Sequence, residues 1–75
     1  MNSIILATSH SFLPSLEFKV FMTTKLSQLI NAYCLRSNRK PEELAFAFND
    51  IIIKGDDTPE SLGMKDGNNI KILLR

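Results

Sequence analysis

Few side chains in this sequence could do covalent or metal chemistry: one cysteine (Cys34), one histidine (His10) and the adjacent acids Asp56 and Asp57. A thiolate nucleophile needs an electropositive, accessible setting that lowers its pKa. Cys34 instead falls on the apolar stripe of a helical pattern, where burial raises the pKa, and reads as a structural residue. His10 sits in a polar loop beside serines, with no acid near it in sequence, and reads as a surface side chain. One Cys and one His cannot build a four-ligand zinc site. Asp56-Asp57 lies in a turn beside Gly55 and reads as a solvated loop, and no glycine-rich phosphate loop is present. No catalytic residue, cofactor or metal is expected, and the chain does not read as an enzyme.

Charge carries more information in its distribution than in its sum of +1. From Phe18 to Pro41 there are five basic residues (Lys19, Lys25, Arg36, Arg39, Lys40) and no acid. From Glu42 to Asp66 seven acids stand against Lys54 and Lys65. A chain polarised in this way can offer a positive face to one partner and a negative face to another. The basic half lacks the density and the stacking aromatics of a nucleic-acid surface, so no direct nucleic-acid contact is expected. No apolar stretch approaches the ~20 residues of a membrane span. The IILA run near the start is too short for a signal-peptide core and lacks a basic segment before it. The expectation is a soluble chain.

These residues must be held by a small fold. The 75 residues leave room for one core, so a single domain over 1–75 is expected. The stretch Thr24 to Ser37 organises it: Leu26, Leu29, Ile30, Tyr33 and Cys34 follow helical spacing, with Thr24 as the expected N-cap and Ser37-Asn38 ahead of Pro41 as the stop. Such a helix is marginal alone and needs a surface to lie on. Ser3 to Thr8 is a continuous apolar run, expected as a strand buried on both faces. Leu16 to Val20 alternates with Leu16, Phe18 and Val20 inward, and Leu44 to Phe48 alternates with Leu44, Phe46 and Phe48 inward. Asn49-Asp50 makes a tight turn into Ile51-Ile52-Ile53. Thr58-Pro59-Glu60 carries the signals of a helix start, and Gly63 ends it within a turn, predicting a short 3₁₀-like element. Asn69 to Leu74 closes the chain as a strand with Ile70, Ile72 and Leu74 on one face. The order β-β-α-β-β-(short 3₁₀ helix)-β, with the first and last strands paired in parallel, is an α+β, ubiquitin-like β-grasp: a mixed sheet of four to five strands on one main helix.

Particular residues narrow this further. Phe18-Lys19-Val20 followed by Met22-Thr23-Thr24 resembles the FKVKMTT segment of SUMO proteins. Tyr33-Cys34 with Arg36 resembles their YCxR helix end, Phe46-x-Phe48 their FLF, and Thr58-Pro59-x-x-Leu62-Gly63-Met64 their TPxxLGM turn. The four matches lie in register from Phe18 onwards, and the first sixteen residues carry no comparable motif.

The resemblance implies a non-enzymatic, non-covalent protein-interaction domain that binds SUMO-interacting-motif peptides by strand addition at the second strand, beside the helix. Residues matching that groove are Phe18, Lys19, Val20, Leu29, Tyr33 and Arg36. The four apolar or aromatic ones among them read equally as core, and the two basic ones as surface charge. A second face, matched to Asn49, Lys65 and Asn68, lacks the acids that SUMO uses towards its conjugating enzyme. Ala47 and Leu73 stand for a reduced ubiquitin-type patch. Where SUMO has lysines this chain has Phe21, Ser27, Gln28 and Ile30, which thins the basic rim.

The expected partners are proteins carrying SUMO-interacting motifs, with SUMO-pathway enzymes as a further class, and a monomer is expected. One alternative is a covalent SUMO-type modifier shown without its Gly-Gly tail, since the sequence stops at Leu74-Arg75. A second is a structural or self-associating module. The single cysteine and the family's usual setting point to the nucleus, the cytoplasm or both.

Overall fold

The computed structural model describes residues 3–75, so the first two positions of the expected 1–75 domain lie outside the described residues. The elements are β1 (Ser3–Ser9), β2 (Glu17–Phe21), α1 (Leu26–Ser37), a 3₁₀ turn (Pro41–Glu43), β3 (Leu44–Phe48), β4 (Ile51–Ile52), α2 (Pro59–Leu62) and β5 (Asn69–Leu74). The strands form one mixed sheet in the order β2-β1-β5-β3-β4. β1 runs parallel to β5 and antiparallel to β2, and β3 is antiparallel to both β4 and β5. This is the expected β-grasp.

Helix α1 buries Leu26, Leu29, Tyr33 and Cys34 along its sheet-facing stripe, with Ile30 packed at its margin. The sheet supplies Ile4, Leu6, Val20, Leu44, Phe46, Phe48, Ile70 and Ile72 to the same core. Each buried Leu or Ile contributes about 1.5–3 kcal/mol of transfer free energy, which is what a short helix needs to stay formed. The expected helix start differs. Thr24 caps nothing in α1, and Lys25 at the N-cap makes no side-chain bond. The first helical N–H groups are satisfied from a distant loop instead: Leu26 donates to the Asp57 carbonyl at 2.8 Å and Ser27 to the Gly55 carbonyl at 3.2 Å. The C-terminus ends on left-handed Asn38, with Arg39 N–H reaching the Cys34 carbonyl at 3.0 Å, a Schellman closure.

β1 lies inside the sheet as expected, but it is not buried on both faces. Ile4, Leu6 and Thr8 point into the core, while Ile5 on the opposite face is 36% exposed. The reason is geometric: the main helix covers one face only, so hydrophobicity on the other face finds no partner. Buried Thr8 is accommodated because its hydroxyl accepts from Leu16 N–H at 3.0 Å. Leu74 was expected inward but stands half exposed at the end of β5, beyond the last core residue, Ile72.

The turns follow their residues. Asn49 and Asp50 both take positive φ (50° and 66°), as a two-residue hairpin of this hand requires, and lead into β4. β4 is one residue shorter than the Ile51-Ile52-Ile53 reading; Ile53 leaves the strand to bury itself and bonds the Phe46 carbonyl. α2 is one α-type turn rather than a 3₁₀ one, since Leu62 N–H reaches the Thr58 carbonyl at 3.1 Å. Thr58 and Ser61 cap each other reciprocally. The 3₁₀ turn lies instead at Pro41–Glu43, where the Glu43 carboxylate accepts from Lys40 N–H at 2.8 Å.

Gly63 ends α2 at φ 68° with no atom within 4 Å of where a Cβ would stand. Gly63→Ala should therefore cost only the left-handed backbone penalty, about 1–2 kcal/mol, read as a lower urea midpoint with unchanged slope.

Candidate functional site

β2 is the edge of the sheet next to α1, and the space between them is an open groove of about 250 Å³. It is lined by Phe18, Lys19, Val20 and Phe21 from the strand and by Thr24, Gln28, Leu29 and Ala32 from the helix side. Alternation along β2 turns Phe18 and Val20 towards the helix, and puts Lys19 and Phe21 on the opposite face, where they border the groove along the strand edge. Arg36, exposed on the last turn of α1, sets its guanidinium over the Phe18 ring, 5.7 Å from the centroid. That is within the range of a cation–π contact and fixes a positive charge at the Phe18 end. Among the described residues the ion pair is Arg39–Glu43 at 3.8 Å, so Lys19 and Arg36 keep their charge unneutralised by a carboxylate.

The backbone of β2 completes the geometry. Pairing to β1 matches Leu6 with Phe18 and Ile4 with Val20, and Thr8 N–H bonds the Leu16 carbonyl at 2.8 Å. The alternate residues of β1 face β5: Ala7 N–H bonds the Asn68 carbonyl, Ile5 N–H bonds Asp66 Oδ1, and the Ile5 carbonyl accepts from Gly67 N–H. Glu17, Lys19 and Phe21, opposite those residues, therefore point their N–H and C=O groups away from the sheet. An edge of this kind is a template for one more strand.

Of the six residues expected in the groove, Phe18, Lys19, Val20 and Leu29 line it and Arg36 flanks it. Tyr33 does not reach it. Its ring is fully buried edge-on against Phe46, and its hydroxyl donates to the Pro14 carbonyl at 2.8 Å, tying the β1–β2 loop to the helix. Thr24, Gln28 and Ala32 line the groove in addition to the residues that the resemblance implies. Gln28 and Ala32 are spaced i, i+4 beside Leu29, which places them on that flank of the helix. Ile30 packs against the core instead.

The second set sits at the other end of the molecule's logic. Lys65 and Asn68 share one turn, with Asn68 Oδ1 accepting from Lys65 N–H at 2.7 Å. Asn49 lies in the β3–β4 turn, and the β3–β5 register brings that end of β3 beside the start of β5. The three residues thus occupy one end of the sheet. On the uncovered face, Ala45 pairs with Leu73 and Ala47 with Ile52, an apolar strip in which two alanines stand beside larger aliphatics, with Ile52 half exposed.

The candidate chemical groups stand apart. Cys34 is buried, and burial first, then the carboxylates of Glu42 and Glu43, push its thiol pKa up. Burial likewise raises Tyr33, with Cys34 adding to the shift and Arg39 opposing it. His10 Nδ1 accepts from Phe12 N–H at 3.0 Å. Among the described residues no three His, Cys, Asp or Glu side chains gather as metal ligands.

Comparisons with known proteins give the family and the fold. A family model described as ubiquitin-2 like Rad60 SUMO-like matches residues 3–74. The chain belongs to this SUMO-like family. Small ubiquitin-related modifier 2 of Arabidopsis thaliana is 35% identical over 57 residues, covering 76% of this chain and 55% of the relative. The ubiquitin-like protein pmt3/smt3 of Schizosaccharomyces pombe is 37% identical over 57 residues, covering 76% and 49%. The SUMO-like chain thus spans about half the length of these curated relatives. Among solved structures, Caldiarchaeum subterraneum ubiquitin superposes with a TM-score of 0.87 at 18% identity, over 99% of this chain and 95% of that one. A structure described as molecular mimicry of SUMO promoting DNA repair gives 0.82 at 19% identity, over 99% and 94%. Both show the same fold.

Two predictions follow from the buried groups of this SUMO-like fold. Tyr33→Phe should lower stability by about 1 kcal/mol in a urea melt while leaving the groove's own side chains in place. The unfolded thiol ionises from about pH 8.5, whereas the folded one resists. Stability is therefore intact below that pH and falls as pH rises through the raised folded value. The urea midpoint should decline in that window, and Cys34→Ala should remove the first part of the decline.

Proposed function

We propose that this SUMO-like domain is a non-catalytic, non-covalent interaction module that binds SUMO-interacting-motif peptides by adding them as a strand to β2. One observation supports the reading above the others: outward-facing backbone on Glu17 and Lys19 runs beside an apolar groove floored by Phe18, Val20 and Leu29. Main-chain pairing supplies affinity, alternate peptide side chains enter the groove, and Lys19 with Arg36 attracts acidic residues flanking the apolar core. The interface is small and the peptide must be ordered, so affinity should lie in the micromolar range. Proteins bearing such motifs are the proposed partners, with SUMO-pathway enzymes as a further class, in the nucleus, the cytoplasm or both.

A second reading, a covalent modifier, draws on the names of the curated relatives, which are ubiquitin-related modifiers. It requires a Gly-Gly end, and the coding sequence past Arg75 decides it.

The test is an NMR titration with a synthetic peptide of Val-Ile-Val-Ile core and Asp-Glu flank. Amide shifts should concentrate on residues 17–21 and the facing side of α1; shifts scattered over β3 and β4, or none at saturation, would count against the site. Arg36→Ala should weaken the acid-flanked peptide by about two- to fivefold, with the loss shrinking in high salt.

A further inference from the structure

Three residues of β2 turn their backbone outward, yet they are not equally available. Phe21 N–H donates to Thr24 Oγ1 at 3.0 Å, and the Phe21 carbonyl accepts from Thr24 N–H at 3.1 Å. Both edge groups of Phe21 are thus consumed by the turn that leads into α1. No such bond engages the outward groups of Lys19 or Glu17 among the described residues. The open length of the edge is set by this asymmetry: it is free at 17 and 19 and shut at 21.

We propose that Thr24 is a specificity-determining stop on the β2 edge, which limits a visiting strand to pairing with Lys19 and Glu17. The inference deepens the strand-addition reading and rests on it. The partner it describes is a short extended apolar peptide whose ladder ends at Lys19. Beyond that point the peptide backbone leaves the sheet and needs no N–H of its own. A residue without a backbone donor, such as proline, is therefore tolerated at the peptide position that passes Phe21, and is rejected at the position that bonds Lys19. The stop also keeps two copies of the chain from zipping along the whole strand, because a long flat edge is what such pairing needs. Phe21, 45% exposed, would otherwise sit on that edge as an apolar invitation.

Amide hydrogen exchange on the intact chain, with and without the same Val-Ile-Val-Ile peptide, tests this. In the wild type the peptide should slow Lys19 exchange by about tenfold or more, while the Phe21 amide, already protected when free, changes less than about twofold. In Thr24→Ala the Phe21 amide should exchange about fivefold faster in the free protein and become protected on binding, as the ladder lengthens. Thr24→Ser keeps the hydroxyl and should behave as wild type. A peptide scan with N-methyl residues should tolerate the methyl past Lys19 in wild type and in Thr24→Ala alike, because the Phe21 carbonyl stays bonded to the backbone N–H of residue 24; rejection of the methyl at that position in wild type would overturn the stop. Lys19 and Phe21 amides newly protected together in the wild type would overturn the stop while leaving strand addition standing. A Lys19 amide unmoved at saturation would remove strand addition, and the stop with it.

Discussion

A single main helix can cover a single face of a five-stranded sheet, and most of this molecule follows from that restriction. The stripe of α1 meets Leu6, Ile70, Ile72 and Phe46 across the central strands β1, β5 and β3. The parallel β1–β5 pairing exists because the chain must cross over the sheet with the helix in the connection. Once the helix is laid on the centre, its flank does not also seal the β2 border, and a groove opens there between Leu29 and Val20. The same restriction leaves Ile5, Ile52 and Leu73 on the uncovered side with small neighbours such as Ala45 and Ala47.

Charge is arranged around this frame rather than within it. Among the described residues the core contains no ionised side chain, and its buried hydroxyls on Thr8 and Tyr33 are both bonded to backbone. Basic groups border the groove, and Arg36 is oriented by stacking on Phe18 rather than by a carboxylate. With Phe21 and Gln28 among its lining residues, the groove carries its positive charge at Lys19 and, flanking it, at Arg36.

The alternating strands, the helical stripe, the Asn49-Asp50 hairpin and the Thr58–Gly63 turn were all legible in the sequence, because each is decided by neighbours in the chain. What escaped reading was decided by distant residues. Thr24 has the chemistry of an N-cap, yet its hydroxyl bonds back to Phe21, while the helix start is satisfied by carbonyls at positions 55 and 57. No local pattern announces that exchange. The run Ile4-Ile5-Leu6 looks doubly buried, since composition cannot report that one face lacks a cover. Tyr33 shares the spacing of the groove residues but turns beneath them, held by Pro14, and periodicity alone cannot distinguish floor from wall.

Having α1's opening amides bonded by Gly55 and Asp57 has a consequence for how the molecule is made on a ribosome. The helix is synthesised some thirty residues before the loop that completes its first turn. β1 likewise waits for β5, pairing Ala7 with Asn69 across nearly the whole chain. Contacts so remote in sequence reward the chain only after a long loop has closed. This domain therefore stays uncommitted on the ribosome, its apolar stripe unsheltered, until β5 has cleared the exit tunnel, and it folds as one event rather than by stages.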